Sequence, residues 1–374
     1  MSRREPCDYW LASTMIPGLG DLGIARAWRD LGSIEELWRA PASRLARSGI
    51  RPAAAAGLAA FTAWGEVESL KKRVRELGAG ILTLDDPAYP EILSLIADPP
   101  PVMFFKGDPA TLRRPAVAIV GARRASELGR RFAFSLARQL AERELAVVSG
   151  LALGVDGAAH EGSLRGGGPT VAVLGTGIDI SYPAAHRHLG RRIAENGVLL
   201  TEFVPGSGPD RHHFPRRNRI VSGLAQAVVV VEAGEKSGSL ITARLALEQG
   251  REVFAVPGPP GLPGSRGVNR LLKDGAQLLE SAEDIFAALP WLKQSGSRNV
   301  TGCSRVSVRR PALSPEQAHL VAALGPDELP FDVLCNRLSW DASRLSRVLL
   351  ELELDGMLIK GAVGFRLAPE FVEE

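Results

Sequence analysis

The sequence predicts an α/β protein built around a doubly wound, mostly parallel sheet, with a helical segment before the sheet and a small helical unit after it. From residue 115 onward, short apolar segments rich in β-branched residues alternate with stretches of helical spacing. Strands that are apolar on both faces are typical of sheets covered by helices on both sides. Alternating strands and helices favour parallel pairing. The predicted strands are 117–120, 145–148, 170–174, 198–200, 228–231 and 253–256, and the predicted helices between them include 130–143, 156–164, 184–195 and 240–249.

The first 65 residues predict a separate domain of short helices. The stretch Ile16-Pro17-Gly18-Leu19-Gly20 is typical of the turn in a helix-hairpin-helix or sterile-alpha-motif-like bundle. Its glycines can leave backbone amides open to a phosphate, and a plain turn between helices remains the alternative. The central domain is predicted over 66–292. It begins with a helix at 67–77, a strand at 81–84, an extended proline run at 99–101 and a further strand near 102–105.

The C-terminal part is predicted to be a linker over 293–312 and a winged helix over 313–374. The linker is rich in Ser, Gly and Arg and has no periodicity. The winged helix follows from three helical segments and a two-stranded turn at the end of the chain. The third helix exposes Arg344 and Arg347 but also Glu351 and Glu353. This mixed charge leaves open whether the unit contacts DNA or a protein.

Composition excludes several classes of protein. The 374 residues are 45% hydrophobic and 23% charged, with a net charge of +3, so the chain can bury a core. No apolar run approaches the roughly 18 residues of a membrane span, and no secretory signal is predicted. The three cysteines, far apart and without CxxC spacing, indicate neither disulfides nor a zinc site. We therefore expect a cytoplasmic protein with no membrane partner. Aromatic residues make up only 6%, which favours contact with a nucleic-acid backbone over stacking on many bases.

The candidate chemistry lies in the loops that follow the strands, where ligands of open α/β sheets bind. The first loop contains Gly121, Arg123, Arg124 and Ser126. A glycine at a strand end allows close approach of a ligand, the following helix start favours an anion, and arginine suits bidentate phosphate contact. The next two loops carry Ser149-Gly150 and Gly175-Thr176-Gly177, again small residues ahead of helical stretches.

Two later segments add positive charge and hydroxyl groups. Four arginines fall between Arg211 and Arg219 with no acid among them, and the next helix is predicted to begin near Asn218. This pattern is typical of polyphosphate backbone binding. The turn from Glu232 to Thr242 is rich in glycine and serine, but Lys236-Ser237 lacks the spacing of a phosphate-loop NTPase. The predicted DNA contacts are Gly121, Arg123, Arg124, Ser126, Ser149, Gly150, Gly175, Gly177, Arg216, Arg217, Asn218, Arg219, Lys236, Ser237, Gly238 and Ser239.

The sequence contains no assembled catalytic motif. It has no G-x-S-x-G elbow, no Ser-His-Asp arrangement and no metal-ligand cluster. Asp156 and His160 lie one helical turn apart and could form a catalytic pair, but a capping aspartate beside a structural histidine is favoured. Catalytic residues, a metal and a cofactor are therefore not expected.

Five blocks, in order, resemble the DprA/Smf family of DNA-processing proteins. They are 119–123, 149–156, 174–177 with Tyr182-Pro183, 214–220, and 237–242. The resemblance implies an extended Rossmann domain that binds single-stranded DNA, protects incoming DNA during natural transformation, forms a homodimer and loads the recombinase RecA against single-strand-binding protein. It places basic contacts on Arg123, Arg216, Arg217 and Arg219. Ala184 stands where some members have a DNA-contacting lysine, so that contact is in doubt. His186 and Val268 also depart from residues usual in the family, Asn and Cys.

Two other functions remain as alternatives. The Glu232 turn is similar in outline to a loop of Rossmann-like nucleotide-monophosphate phosphoribohydrolases, in which case Glu202 or Glu232 would be catalytic. The winged helix could alternatively make the protein a transcription regulator. The DNA-binding hypothesis is favoured because the arginine-rich segment exceeds what one phosphate needs.

Overall fold

The computed structural model describes residues 4–293, 314–324, 329–354, 358–360 and 364–367. The chain divides into two compact units, Met1–Arg298 and Asn299–Glu374. The helical segment at the start of the chain and the central sheet belong to the same unit. The domain boundary predicted at residue 65 stays a prediction, and residues 294–312 of the predicted linker lie outside the described residues.

Among the described residues of the first unit, nine strands form one sheet in the order β1-β2-β6-β5-β4-β3-β7-β8-β9. Strands β3 to β9 run parallel to one another, whereas β2 is antiparallel to both β1 and β6. The chain reverses its direction of winding between β3 and β7, which creates a topological switch point. This arrangement confirms the predicted Rossmann-like fold. The strands are β1 Gly80–Thr83, β2 Val102–Gly107, β3 Ala116–Val120, β4 Ala146–Ser149, β5 Thr170–Val173, β6 Val198–Thr201, β7 Ala227–Val230, β8 Glu252–Ala255 and β9 Gln277–Leu278.

Alternate residues of the central strands enter two different cores, because successive side chains of a strand point to opposite faces. Val117 and Ile119 pack with one set of helices, and Ala118 and Val120 pack on the other side. Both faces are covered, as the apolar strand pattern predicts. The helices from the sheet region are α7 Glu91–Ser94, α8 Glu127–Glu142, α9 Val155–Arg165, α10 Arg187–Asn196, α11 His213–Gly223, α12 Gly238–Glu248, α13 Arg266–Lys273 and α14 Ala282–Ala288.

Six short helices precede the sheet and share the core of one of its faces. Trp10 and Ile24 are fully buried in the same hydrophobic cluster as Ala118 and Val120. The helix α2 begins directly after the Gly18-Leu19-Gly20 turn, where Gly18 has a φ of 79° that favours glycine. The helices are α1 Pro6–Thr14, α2 Asp21–Leu31, α3 Ile34–Arg39, α4 Ala42–Arg47, α5 Pro52–Ala59 and α6 Trp64–Glu76.

The predicted start of the helix after the arginine-rich segment is wrong. The helix α11 begins at His213 rather than near Asn218, so Arg216, Arg217 and Arg219 lie within a helix and not in a loop. Pro215 is compatible with this because it occupies the first helical turn, where an amide hydrogen has no partner within the helix. Helical phase therefore decides where each arginine side chain goes.

The described residues of the second unit form three helices and a two-stranded antiparallel sheet. The helices are α15 Pro315–Ala323, α16 Phe331–Leu338 and α17 Ala342–Leu354, and the strands are β10 Leu358–Lys360 and β11 Phe365–Leu367. Leu320, Leu334, Leu345 and Leu352 are buried together in its core. This is the element order predicted for a winged helix. In neither unit do the described residues include a helix that is long and apolar enough to cross a membrane.

Candidate nucleic-acid interface

A cavity among the predicted contacts lies at the carboxyl ends of β3, β4 and β7, beside the topological switch point. This cavity, called here the main pocket, has a volume of about 680 Å³. Its walls come from the loops after these three strands, from Tyr182 after β5, from the segment between β6 and α11, and from α11 and the start of α12. Open α/β sheets bind their ligands at this location.

Two glycines allow the loops of the main pocket to pack closely. A Cβ atom at Gly121 would collide with the side chain of Val155 in α9. A Cβ atom at Gly150 would collide with the guanidinium of Arg217. Close packing therefore requires glycine at both positions, and the absence of a side chain at Gly150 leaves room for the guanidinium of Arg217.

The buried side chain of Arg217 supports the loop after β4 through hydrogen bonds. Its Nη1 donates a hydrogen bond of 2.6 Å to the Gly150 carbonyl and another to the Val173 carbonyl. Burial lowers the pKa of Arg217 to about 10, against the opposing effect of Asp156. A carboxylate of Asp156 accepts hydrogen bonds from the amides of Gly150 and Ala152 at 3.2 and 3.3 Å. Arg217 and Asp156 thus hold the same loop from two sides.

Asp156 and His160 have different hydrogen-bond partners in the structure. The Nδ1 atom of His160 lies 2.7 Å from the Thr170 hydroxyl, and the ring is completely buried. Burial lowers the pKa of His160 to about 3, so the ring stays neutral. Burial also raises the pKa of Asp156. The structural interpretation of this pair, which the sequence favours, fits these contacts.

Arg123 and Arg211 are the exposed cations of the main pocket. The guanidinium carbon of Arg123 lies 5.1 Å from the ring centroid of Phe214, a cation–π distance. Phe214 in turn packs against Tyr182, with ring centroids 5.5 Å apart. Among the described residues, neither Arg123 nor Arg211 forms an ion pair with a carboxylate. Arg211 Nε donates a hydrogen bond of 3.2 Å to Nε2 of His212, and the remaining donors of both guanidinium groups are open to an anion.

The turn before α12 supplies hydroxyl and amide groups. Ser237 caps the helix, and its Oγ lies 2.7 Å from the Oγ of Ser239. Asn218 of α11 donates a hydrogen bond of 3.3 Å to the Gly238 carbonyl and so ties this turn to α11. Nothing lies within 4 Å of the position where Gly238 would carry a Cβ. The backbone at Gly238 is therefore open to a ligand.

Arg216 and Arg219 face away from the main pocket into a group of acids. Arg219 Nη2 lies 2.8 Å from carboxylate oxygens of both Asp21 and Glu202, and its Nε lies 3.1 Å from Asp98. Arg216 pairs with Asp21 at 2.7 Å and with Glu202 at 2.9 Å. These five residues, called here the ion-pair cluster, join α11 to the start of α2. Burial raises the pKa of Glu202 to about 7 although both arginines oppose that change.

The sixteen predicted contacts separate into two equal groups. Eight line the main pocket: Gly121, Arg123, Gly150, Arg217, Asn218, Ser237, Gly238 and Ser239. The other eight do not: Arg124, Ser126, Ser149, Gly175, Gly177, Arg216, Arg219 and Lys236.

Most of the second group have other visible roles. Ser126 caps α8, Ser149 donates to the Ile119 carbonyl at 2.6 Å, and Gly175 is buried against the ring of Phe214. Arg124 and Lys236 are exposed beside the pocket. Whether any of the sixteen touches DNA stays a prediction.

Several residues of the main pocket are missing from the predicted contacts. Arg211 belongs to the arginine-rich segment, and the run of four arginines was the signal that could have included it. Tyr182 and Phe214 lie within blocks that carry the family resemblance, but their aromatic pairing depends on the fold. Asp156 and Thr242 also line the pocket.

The two acids proposed for an enzyme lie outside the main pocket. Glu202 is engaged in the ion-pair cluster. Glu232 accepts hydrogen bonds from the backbone amide and the hydroxyl of Ser126, at 2.8 and 2.6 Å, and so helps to cap α8. Among the described residues, Asp156 is the carboxylate that lines the pocket, and it accepts hydrogen bonds from the backbone amides of Gly150 and Ala152. The described residues contain no group of three or more His, Cys, Asp or Glu that could hold a metal ion.

The exposed cations of the third helix in the second unit have acidic partners. Arg344 and Arg347 of α17 each lie 2.7 Å from a carboxylate oxygen of Glu316 in α15. Arg344 also lies over the ring of Trp340, 4.6 Å from its centroid. These contacts reduce the positive charge that the helix offers to a nucleic acid.

Comparison with known proteins gives the same family as the motifs. The family model described as DNA recombination-mediator protein A matches residues 80–290, and the DprA winged helix domain matches residues 308–360. The chain is 40% identical over 283 residues to Protein Smf of Escherichia coli strain K12, a match that covers 74% of each chain.

Two solved structures are also similar. DNA processing protein A from Streptococcus pneumoniae superposes with a TM-score of 0.67 at 35% identity, covering 75% of this chain and 97% of that one. A structure concerned with the single-stranded DNA binding mode of DNA processing protein A from Helicobacter pylori gives a TM-score of 0.52 at 32% identity, covering 57% of this chain and 96% of that one. The family matches at both the sheet and the winged helix confirm the resemblance, and the chain belongs to the DprA/Smf family.

Proposed function

We propose that this protein binds single-stranded DNA by its sugar-phosphate backbone in the main pocket. The observation that carries the proposal is the convergence of Arg123, Arg211 and the open backbone at Gly238 at one edge of the sheet. Arginine and loop amides are the groups that bind phosphate in proteins. The Helicobacter pylori relative is a single-stranded DNA binder, which supports the same ligand class here.

The charge balance favours a chain of phosphates over a single one. Arg123 and Arg211 are both exposed, come from different loops and have no acidic partner among the described residues. Asp156, the acid that lines the described pocket, is buried, and its carboxylate accepts hydrogen bonds from two backbone amides. The exposed charged residues that line the pocket are cationic, although the exposed Asp210 directly precedes Arg211 in the chain. A cationic lining attracts a polyanion and makes affinity dependent on salt.

Family membership supports a wider role. We propose that the protein acts in the cytoplasm as a homodimer, protects incoming single-stranded DNA and loads RecA onto strands that single-strand-binding protein would otherwise occupy. This role needs no covalent chemistry. It requires a surface that holds a strand without cutting it, and the main pocket presents arginines and amides without a free acid or nucleophilic pair.

A phosphoribohydrolase is the second candidate, and the positions of the acids speak against it. Glu202 and Glu232 are both committed to other contacts and lie outside the pocket. Incubation with nucleoside monophosphates separates the two functions. We expect no free base to be released, and release that depends on Glu202 or Glu232 would favour the enzyme.

Equilibrium binding of fluorescent oligothymidine at several salt concentrations tests the proposed function. The variant Arg123→Glu with Arg211→Glu should bind at least about tenfold more weakly. Its salt slope should be smaller by roughly 1.4, since each single-strand phosphate contact contributes about 0.7. Arg217 is left intact because it braces the Gly150 loop.

The matched control is Arg114→Glu with Arg165→Glu. These arginines are also exposed but lie at the amino ends of the strands, opposite the main pocket. One precedes β3 and the other is at the end of α9. The control makes the same change in net charge and should bind within about twofold of the unaltered protein. Equal loss of affinity in both double variants would contradict a site at the main pocket.

A further inference from the structure

A second, smaller cavity lies directly beside the main pocket. It has a volume of about 190 Å³ and is called here the side pocket. Tyr182 lines both cavities, and the loop after β4 separates them, since Gly150 and Ala152 line the main pocket whereas Leu151 lines the side pocket. A ligand that fills the first cavity therefore has the second within reach across one aromatic ring.

The floor of the side pocket is apolar and preformed. It consists of Leu151, Leu174, Ile178 and Leu199, each less than a tenth exposed. Leu151 has a φ of 57°, unusual for a residue with a side chain, and its carbonyl lies 3.0 Å from Nδ1 of His186. Contacts on both sides of the loop thus fix the side chain that forms the floor.

The rim of the side pocket is cationic. Lys106 of β2 and Arg187 and Arg191 of α10 line it. None of these three has an acidic partner among the described residues, in contrast to Arg192 of the same helix, which pairs with Glu161 at 2.7 Å. Asp179 also lines the cavity, but it is held by Arg73 at 3.0 Å and by the amide of Gly206 at 2.8 Å. The open charge at the rim is therefore positive.

An apolar floor beneath unpaired cations matches the two parts of a nucleotide. A cavity of about 150 Å³ with apolar walls can hold one benzene ring, so the side pocket has room for a single planar ring system. Guanidinium groups at the rim suit the phosphate attached to it. The alternative, a free inorganic anion, would leave the apolar floor without a partner.

We propose that the side pocket receives one base of the single-stranded DNA held in the main pocket, while Arg187 and Arg191 contact the neighbouring phosphate. This inference rests on the proposed function and extends it, because it makes the site longer and gives one nucleotide a special position. The four floor side chains carry no hydrogen-bonding group, so contact with the floor does not favour one base over another. Tyr182 forms the wall over which the strand passes from one cavity to the other.

A scan of abasic sites along a short oligothymidine tests the inference. The strand carries one abasic nucleotide at a time, and its affinity for the full-length protein is measured at fixed salt. An abasic nucleotide at one position should weaken binding by about 5-fold to 150-fold, which corresponds to the ~1–3 kcal/mol that stacking of one base contributes. Abasic nucleotides at the remaining positions should change affinity by less. A scan without a sensitive position overturns the proposal.

Filling the cavity provides the matched structural test. Ala194 of α10 lines the side pocket and is partly buried, so Ala194→Met places an unbranched apolar side chain there without changing charge. The sensitive position should disappear in this variant, and the affinity for the intact oligothymidine should fall by about the same factor. Retention of the sensitive position in a folded Ala194→Met protein overturns the proposal.

The rim is tested by a charge change that does not depend on repacking. Arg187→Glu with Arg191→Glu should weaken binding of oligothymidine by about tenfold relative to the control Arg114→Glu with Arg165→Glu. Equal affinity of the two double variants contradicts the phosphate contact. Failure of the unaltered protein to bind oligothymidine would instead contradict the proposed function itself, and the inference with it.

Discussion

The two faces of α11 use the same residue type for different purposes. On one face Arg217 is buried under the main pocket and donates to the carbonyls of Gly150 and Val173. On the other face Arg216 and Arg219 enter the ion-pair cluster with Asp21, Asp98 and Glu202. Successive residues of a helix are rotated by about 100°, so adjacent arginines meet different surroundings.

A run of arginines in the sequence is therefore not by itself a phosphate site. In this segment Arg211 is the arginine that remains both exposed and without an acidic partner among the described residues. Arg217 shapes the pocket from below, and Arg216 and Arg219 attach α11 to the N-terminal helix α2. Three of the four arginines thus stabilise, through internal hydrogen bonds and ion pairs, the surface to which DNA is proposed to bind.

The largest expected effect comes from removing the buried brace. Arg217→Met leaves two carbonyls and the buried Asp156 without their cationic partner, which should lower the free energy of unfolding by about 3–5 kcal/mol. Urea unfolding measures this change. A loss below about 1 kcal/mol would contradict the role of Arg217 as the support of the Gly150 loop.

An intermediate effect is expected from Glu202, the buried acid of the ion-pair cluster. The pKa of Glu202 is about 7 in the folded chain against an ordinary 4.5, so the folded state binds this proton more tightly. The stabilisation from Glu202 is therefore complete below pH 4.5 and is lost as the pH rises through 7.

The variant Glu202→Gln lacks this titration. Relative to it, the unaltered protein should lose on the order of 1–3 kcal/mol of unfolding free energy between pH 4.5 and 7.5. Urea unfolding at both pH values gives the difference. Parallel pH profiles of the two proteins would show that Glu202 does not titrate in this range.

The smallest effect is expected on the exposed side of the same cluster. Arg216 is 51% exposed, so Arg216→Met should cost no more than about 1 kcal/mol of stability. Its affinity for oligothymidine should change by less than about threefold, because Asp21 and Glu202 already compete for the guanidinium. A much larger loss of affinity would show that Arg216 leaves its acids to contact DNA. As the same substitution one residue before Arg217, it is also the control for Arg217→Met.

The sequence predicts the architecture of the sheet well because strand burial is a local signal. The apolar segments at 117–120 and 228–231 lie within one residue of β3 and β7, and the glycine-rich stretches after them do meet at one pocket. Parallel strands bring their carboxyl ends to one edge whatever the details of their order. That general property is enough to predict the location of the candidate site.

The sequence does not predict which arginines remain free. That depends on the start of α11 at His213, which sets the helical phase, and on Asp21, which lies 198 residues before Arg219 in the chain. It also depends on the packing of α2 beside α11, a long-range contact with no local sequence signal. For the same reason, the side pocket and its floor residue Leu151 emerge only from the folded structure.

A crystal structure of the full-length protein with a short oligothymidine tests the central claim most directly. We expect phosphates within hydrogen-bond distance of Arg123 and Arg211 and near the backbone of Gly238, with the strand crossing Tyr182. A strand bound at the opposite edge of the sheet, or held by the winged helix with the main pocket empty, would contradict it.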